Sequence, residues 1–290
     1  MKNSITFLLL LFSVSIAFAQ DQDFHLDQEY AISKNGTIDL RSSDAKVFIT
    51  GTDRSALARV KIDRTVTAKG WYSSKGEFKV LVEAENGNLS IRENQNQVQI
   101  GIIGYYNEDY KIVIEAPIGV SLQIKGDDGD YWIKNIDGTI SLDIDDGDAE
   151  LTNCNGNKFN FSLDDGDLKM SGGKGSLSVD ANDADLTFEN ASFSSIDADV
   201  DDGKLIIQSS LSDNGNYAIR SQDGLVVFDV LSGSGQFSIR HDDARISAEG
   251  NFSSKQESEH FTELALGNGT AKVNIRADDA SVRLRSQRKN

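Results

Sequence analysis

The sequence predicts an all-β chain wound as a single-domain parallel β-solenoid with rungs of about 18–21 residues, a β-sandwich being the alternative. Three observations predict it. A pattern of alternating apolar residues, an Asp, a Gly or Ala and further alternating apolar residues recurs along the chain. The residue before the Gly or Ala is Asp44, Asp128, Asp146, Asp165, Asp183, Asp202, Asp223, Asp243 and Asp279, with Asn86 in a tenth copy. Self-similarity at this spacing marks a stack in which each unit buries its apolar face against its neighbours. Second, the alternation has period two on both sides of the Asp, as in Ile140, Leu142 and Ile144 before it and Ala149 and Leu151 after it. The inward parity changes across the Asp-Gly, so two strands meet there at a corner. Third, Pro117 is the only proline, as expected where nearly every backbone donor is used in a ladder.

The elements follow in order. Lys2, the apolar run Ile5 to Phe18 and Ala17-Phe18-Ala19 before Gln20 read as a secretory signal peptide over 1–19. The run is too short for a membrane span of about 20 residues, so the mature chain, 20–290, is expected to be exported to the periplasm or cell surface without a membrane span. Residues 20–116 form a less regular N-terminal part. Corners are expected at Ala45 and Gly87, extra strands at Ala58 to Ala68 and Tyr110 to Ala116, and loops or a sheet rim at Gly70-Trp71-Tyr72 and Gly104-Tyr105-Tyr106. Residues 117–250 hold the regular Asp-Asp-Gly rungs, with corners at 129, 147, 166, 184, 203, 224 and 244. Residues 251–290 comprise an interruption from Asn251 to Gly267, a last rung from Lys272 to Leu284 and a basic tail. The segment before Ile38 and the tail Arg283 to Asn290 are the expected end caps. Without caps, open strand edges favour end-to-end self-association.

The formal charge is −17, and the stretch Lys125 to Leu205 alone carries 20 acidic and 6 basic residues. So acidic a chain repels nucleic acid and anionic membranes and attracts cations or basic surfaces. Stacked rungs bring equivalent Asp residues to about 4.8 Å, where like charges need compensation. Hydrogen-bonded Asx-turns supply it on one reading. On the other, calcium is held by Asp127, Asp128, Asp130, Asp145, Asp146, Asp148, Asp164, Asp165, Asp167, Asp183 and Asp185, because hard cations select clustered carboxylate oxygens. No known calcium-loop motif is present, and the cofactor expectation is none, with calcium the one alternative.

Catalysis by a carboxylate pair needs two groups in different environments, whereas an Asp present in every rung is uniform. The chain is therefore read as non-enzymatic. Outward positions offer contacts instead. Four residues before each corner Gly or Ala runs a strip of Arg41, Lys125, Asp143, Ser162, Asp180, Asp199, Arg220, Arg240 and Arg276, basic at both ends and acidic between. Trp71, Tyr72, Tyr105, Tyr106 and Trp132 are the candidate contacts for a protein or glycan surface, since exposed aromatics stack on partners. Cys154, the only cysteine, excludes an internal disulfide and reads as a small side chain in a turn rather than a nucleophile. His25, His241 and His260 lack metal spacing.

The segment Tyr110-Lys-Ile-Val-Ile-Glu-Ala-Pro117-Ile-Gly-Val-Ser-Leu122, followed by rungs of the form x-Leu-x-Ile-x-x-Asp-Asp-Gly-Asp, resembles the bacterial putative-adhesin family of β-strand-repeat domains of unknown function. The likeness runs from about Phe24 to Leu284. It implies a β-solenoid of the bacterial envelope or exterior, acting as a binding or structural module, and brings no catalytic residues. Its Asp-Asp-Gly corners depart from the family's usual Ser-Gly. Two alternatives stand beside this reading: a calcium-dependent carbohydrate-binding or polysaccharide-cleaving β-helix, and a periplasmic component of an envelope-stress or assembly system.

Overall fold

The computed structural model describes residues 23–75, 78–94 and 98–286, the side chains of 68–75 and 98–103 excepted. The leader read at 1–19 lies outside the described residues. The chain enters in β1 (Phe24–Ala31), makes a rung of β2 (Thr37–Ser42) and β3 (Lys46–Thr52), and leaves the stack in β4 (Leu57–Lys75). β5 (Val80–Glu85) and β6 (Asn88–Glu93) follow, and β7 (Val98–Pro117) runs back along β4. Rungs then succeed one another: β8 (Ser121–Gly126) with β9 (Asp130–Lys134), β10 (Ile140–Asp146) with β11 (Ala149–Thr152), and β12 (Lys158–Ser171), which passes through its corner. β13 (Lys174–Ser209) spans two rungs, and β14 (Asn216–Ser221) with β15 (Leu225–Val230) and β16 (Gly235–His241) with β17 (Arg245–Glu249) make two more. A hairpin of β18 (Phe252–Ser258) and β19 (Phe261–Leu266) precedes the last rung in sequence, β20 (Ala271–Ala277) and β21 (Ser281–Ser286).

The chain is therefore an all-β solenoid with two walls joined by corners. Alternation dictates it: Phe159, Phe161 and Leu163 are buried before the corner of β12, Leu168 and Met170 after it, and 164–167 all face outward while the phase shifts. Each buried Ile, Leu, Val or Phe contributes about 1.5–3 kcal/mol, and the inward side chains form one cluster from Ile32 to Leu284. The segment that closes each rung adds one more inward group, Ile136 in one and Cys154 in the next. Cys154 is fully buried and desolvation pushes its thiol up to about 11, so it is the small core residue and not a nucleophile.

Corner glycines answer to packing. A Cβ on Gly147 would lie 2.1 Å from the Gly129 carbonyl oxygen, and one on Gly166, whose φ is +105°, 2.4 Å from that of Gly147. At these two corners the backbone leaves no room for a Cβ, whereas Ala184, in register with Gly166, carries one at the next.

The corner expected at Gly87 is instead a hairpin turn. Asn86 (φ 51°) and Gly87 (φ 79°) both adopt left-handed backbone, the geometry of the two-residue turn that reverses a strand, and β5 and β6 pair antiparallel with Glu85 opposite Asn88. The loops expected at Gly70-Trp71-Tyr72 and Gly104-Tyr105-Tyr106 are likewise strand: Gly70 pairs Gly104 within a long antiparallel β4–β7 ribbon. Beyond Arg64, where β1 ends its pairing with β4, that ribbon continues as two strands.

The stacking order also departs from the sequence order, at both ends. The first rung, β2–β3, lies between β6–β7 on one side and β8–β9 on the other. The last rung, β20–β21, inserts between β14–β15 and β16–β17. Arg283 and Arg285 thus sit inside the stack, in a strand paired on both edges, and do not form the cap expected of the basic tail. At the C-terminal end the cap of one wall is the β18–β19 hairpin, with β19 antiparallel to β16. At the N-terminal end β1 covers the edge of β4.

Candidate functional site

The corner carboxylates form the ladder the repeat implies. Asp146, Asp165 and Asp183 stand in register on neighbouring rungs. Desolvation first, then the Asp146 and Asp183 carboxylates, hold Asp165 above the usual Asp range, and Asp202 is raised by desolvation and then by Asp223 and Asp183. Flanking residues bond between rungs: Asp148 Oδ1 accepts the Asp167 N–H (2.9 Å), Asp164 Oδ1 accepts from Asn182 Nδ2 (2.8 Å), and Lys204 Nζ donates to Asp185 Oδ2 (2.6 Å). Among the described residues Asp128, Asp146, Asp165 and Asp183 accept no backbone N–H within their own corners, so the expected Asx-turn is replaced by these cross-rung bonds and by the backbone pair Asp146 N to Asp127 O at 2.8 Å. Nor do three or more His, Cys, Asp or Glu side chains converge among the described residues to hold a metal ion. Asp127, Asp130 and Asp145 lie on the same outward ridge.

The aromatic candidates separate. Trp132 stacks on Phe48 across neighbouring strands, with centroids 4.6 Å apart and planes 9° from parallel, and Lys111 Nζ sits 4.5 Å above the Phe48 ring. Each ring thereby covers the other, and Trp132 is half-buried. Tyr106 donates to Glu108 Oε2 (2.5 Å), and Glu108 in turn pairs with Arg64, which is 2% exposed and lies 4.1 Å over the Phe78 ring. Tyr106 therefore belongs to a polar knot that fastens the ribbon to the stack. Glu93 joins that region by accepting from Ser43 N (3.0 Å) and Ser43 Oγ (2.7 Å), and burial raises its pKa. Tyr105 is exposed on the ribbon. The side chains of Trp71 and Tyr72 lie outside the described residues.

The outward charge strip is the feature with the most chemistry. Registers place Arg92, Arg41, Lys125, Asp143, Ser162 and Asp180 side by side, and Asp199, Arg220, Arg276 and Arg240 likewise further along the same wall. Arg92 was hidden by the misplaced corner at Gly87, and Arg276 rather than Arg240 stands next to Arg220. Where the sign changes, ion pairs close the boundary: Lys125 Nζ to Asp143 Oδ2 at 2.9 Å, and Arg220 Nε to Asp199 Oδ2 at 2.9 Å with Nη2 to Asp197 Oδ1 at 3.2 Å.

Beyond the second boundary the outward residues of β14, β20 and β16 form a registered three-by-three face. Asn216, Lys272 and Gln236 make one row, Ala218, Asn274 and Ser238 the next, and Arg220, Arg276 and Arg240 the third. Open clefts of about 470, 480 and 580 Å³ follow one another along these strands, the last running past Arg240 and Arg276 to His241, His260 and Phe261. His260 Nδ1 lies 3.3 Å from Asp242, and the His241 ring 3.1 Å from Thr262 Oγ1. At the opposite end of the wall a cleft of about 470 Å³ is lined by Asp39, Glu83, Glu85 and Arg92 and is acidic on balance.

A model of the Toastrack DUF4097 family matches residues 35–285. The chain belongs to that family. The match spans every rung of the stack, in keeping with the resemblance carried by Tyr110 to Leu122 and the repeats after it. Among solved structures, this Toastrack chain is similar to a putative adhesin from Bacteroides fragilis, at 10% identity over 90% of this chain and 97% of that one, with a TM-score of 0.48. A putative adhesin from Parabacteroides distasonis gives 8% identity, 90% and 97% coverage and a TM-score of 0.48. A putative cell adhesion protein from Clostridium sporogenes gives 12%, 91% and 100%, with a TM-score of 0.28. No curated protein matches.

Proposed function

We propose that this Toastrack protein is an exported, non-enzymatic binding module of the bacterial cell envelope, and that it holds its partner on the outer face of β14, β20 and β16. The observation that carries the reading is the registered face itself. Nine side chains project from three rigid, fully paired strands along continuous clefts, and sites on such elements are held more firmly than sites on loops. The leader at 1–19 supports export, and the uniform Asp ladder, which offers no pair of carboxylates in contrasting environments, supports a non-catalytic role.

The test is sedimentation of the mature chain, from Gln20, with the envelope fraction of the producing bacterium. The native chain is expected to co-sediment, and Asn274→Ala with Ser238→Ala to weaken it about tenfold while the far-ultraviolet circular dichroism stays unchanged. Undiminished co-sedimentation of that variant would remove the face from the reading.

A further inference from the structure

We infer that the clefts along β14, β20 and β16 bind an acidic oligosaccharide, with its anionic group clamped by Arg276 and Arg240 and its hydroxyls lying over Asn274, Ser238 and Gln236; this rests on the binding face proposed above. At the N-terminal end of the strip Asp39 faces both Arg92 (3.3 Å) and Arg41 (3.5 Å), and Lys125 is bonded to Asp143. At that basic end each cation has a carboxylate neighbour, with Asp39 shared by two of them. At the C-terminal end Arg220 is served by Asp197 and Asp199, and Arg276 pairs with Asp278. The Arg276–Asp278 contact, Nε to Oδ1 at 3.6 Å, is a single one that matches Arg41–Asp39 in length, and Arg240 alone of the three has no ion pair or side-chain hydrogen bond among the described residues. Yet Arg276 and Arg240 are directly opposite each other on paired strands, where like charges destabilise a sheet.

Arg240, which is unpaired, and Arg276, which is held by one contact through Nε, lie about one strand spacing apart and suit an oxyanion that both can reach, because the guanidinium fork binds carboxylate, phosphate or sulfate through two parallel donors. The remaining rows decide the rest of the ligand. Amide and hydroxyl side chains give and accept hydrogen bonds without charge, the chemistry that meets sugar hydroxyls, and Phe261, opposite Arg240, adds an aromatic side chain to the cleft lining. A single-stranded nucleic acid would need a run of stacking aromatics and charge along the whole groove. Here the arginines lie in one row, and the neighbouring acidic column from Asp143 to Asp199 repels a polyanion laid along the stack. The ligand instead follows the strands, over the roughly 23 Å of β20 at about 3.3 Å per residue.

The experiment titrates the mature chain with polygalacturonate oligomers and with the same oligomers fully methyl-esterified, which keep the sugar backbone and lose the charge. Three variants are compared: Arg276→Gln with Arg240→Gln, Arg41→Gln at the other end of the strip, and Asn274→Ala with Ser238→Ala. Binding of the acidic oligomer at least tenfold tighter than of the ester, lost in the double arginine variant and kept in Arg41→Gln, is the expected result. Equal affinity for the ester, or no change in the double arginine variant, would overturn the anionic clamp. The two proposals fail separately. Envelope binding that needs Asn274 and Ser238 but ignores Arg276 and Arg240 keeps the face and overturns the acidic ligand. Envelope binding indifferent to all of these overturns both.

Discussion

Insertion of the C-terminal rung between two earlier ones can be tested with pairs of cysteines on outward positions. Ala218 on β14 and Asn274 on β20 are directly opposite, and Asn274 is in turn opposite Ser238 on β16. Neighbouring strands lie about 4.8 Å apart, so Ala218 and Asn274 are separated by about that distance and Ala218 and Ser238 by roughly 9.6 Å. A disulfide requires Cα atoms about 4.4–6.8 Å apart. Ala218→Cys with Asn274→Cys should therefore close under mild oxidation, and Ala218→Cys with Ser238→Cys should not. Because the first bond ties off a loop of roughly 56 residues, it should also stabilise the chain by about 4 kcal/mol on the loop-entropy account. The one native thiol, Cys154, is buried and adds no competing bridge. Non-reducing electrophoresis with mass spectrometry of the linked peptides reads both pairs. A stack in sequence order would reverse the outcome, and closure of the 218–238 pair without the 218–274 pair would refute the exchanged order.

Other consequences follow from the corners, the charges and the core. Gly166→Ala should cost about 1–3 kcal/mol in a urea melt, because φ is +105° and the new methyl meets the Gly147 carbonyl. Gly172→Ala, with φ +92° and open space around it, separates backbone strain from that collision and should cost less. Asp165 and Asp202 have pKa values raised above 3.8, so the folded state binds their protons more tightly than the unfolded state does. Their favourable contribution is complete below the ordinary Asp value and is lost as pH rises through the raised one. Asp165→Asn should thus raise the melting temperature at pH 7, with the gap over the native chain closing towards pH 4; an unchanged gap would count against the ladder repulsion. Cys154 should resist a thiol reagent at pH 8 in the folded chain and react at once in denaturant. A calcium series with ionic-strength controls should leave the melt flat, since among the described residues no three His, Cys, Asp or Glu are grouped to hold a metal ion; a calcium-specific rise that Asp146→Asn removes would refute this.

The regular part of the fold was legible because each rung repeats one physical solution. Inward parity at Ile140, Leu142 and Ile144, the phase shift at the Asp-Gly, and the spacing of corners are local, and the structure reproduces them. The exchanged rungs were not legible, because β20 and β16 present the same pattern of side chains to β14, and nothing local distinguishes a neighbour in space from a neighbour in sequence. The hairpin at Gly87 was legible in principle: Asn86-Gly87 is the strongest short hairpin signal, but it matched the corner template equally well and the template prevailed. The charge strip was visible as a column, whereas the partners that neutralise it were not. Asp39 serves Arg41 and Arg92 only because β2 lies beside β6.

That last difference explains why two basic ends of similar composition have different prospects. A solvated sheet face gains stability when opposite charges alternate across strands, and the wall does this at Lys125–Asp143 and Asp199–Arg220. Three cations in succession break the rule at both ends, Arg92, Arg41 and Lys125 at one and Arg220, Arg276 and Arg240 at the other. Had the rungs stacked in sequence order, Arg240 would stand at the centre of the three arginines and the β19 hairpin would have no fixed relation to it. The exchange puts Arg276 at the centre and leaves Arg240 opposite Phe261, at the mouth of the largest of the three clefts. Local rules are broken in natural sequences mainly where function requires it. Arg240, the one arginine of this row without a partner among the described residues, stands beside hydroxyl, amide and aromatic groups and is placed to receive a negative charge from outside the chain.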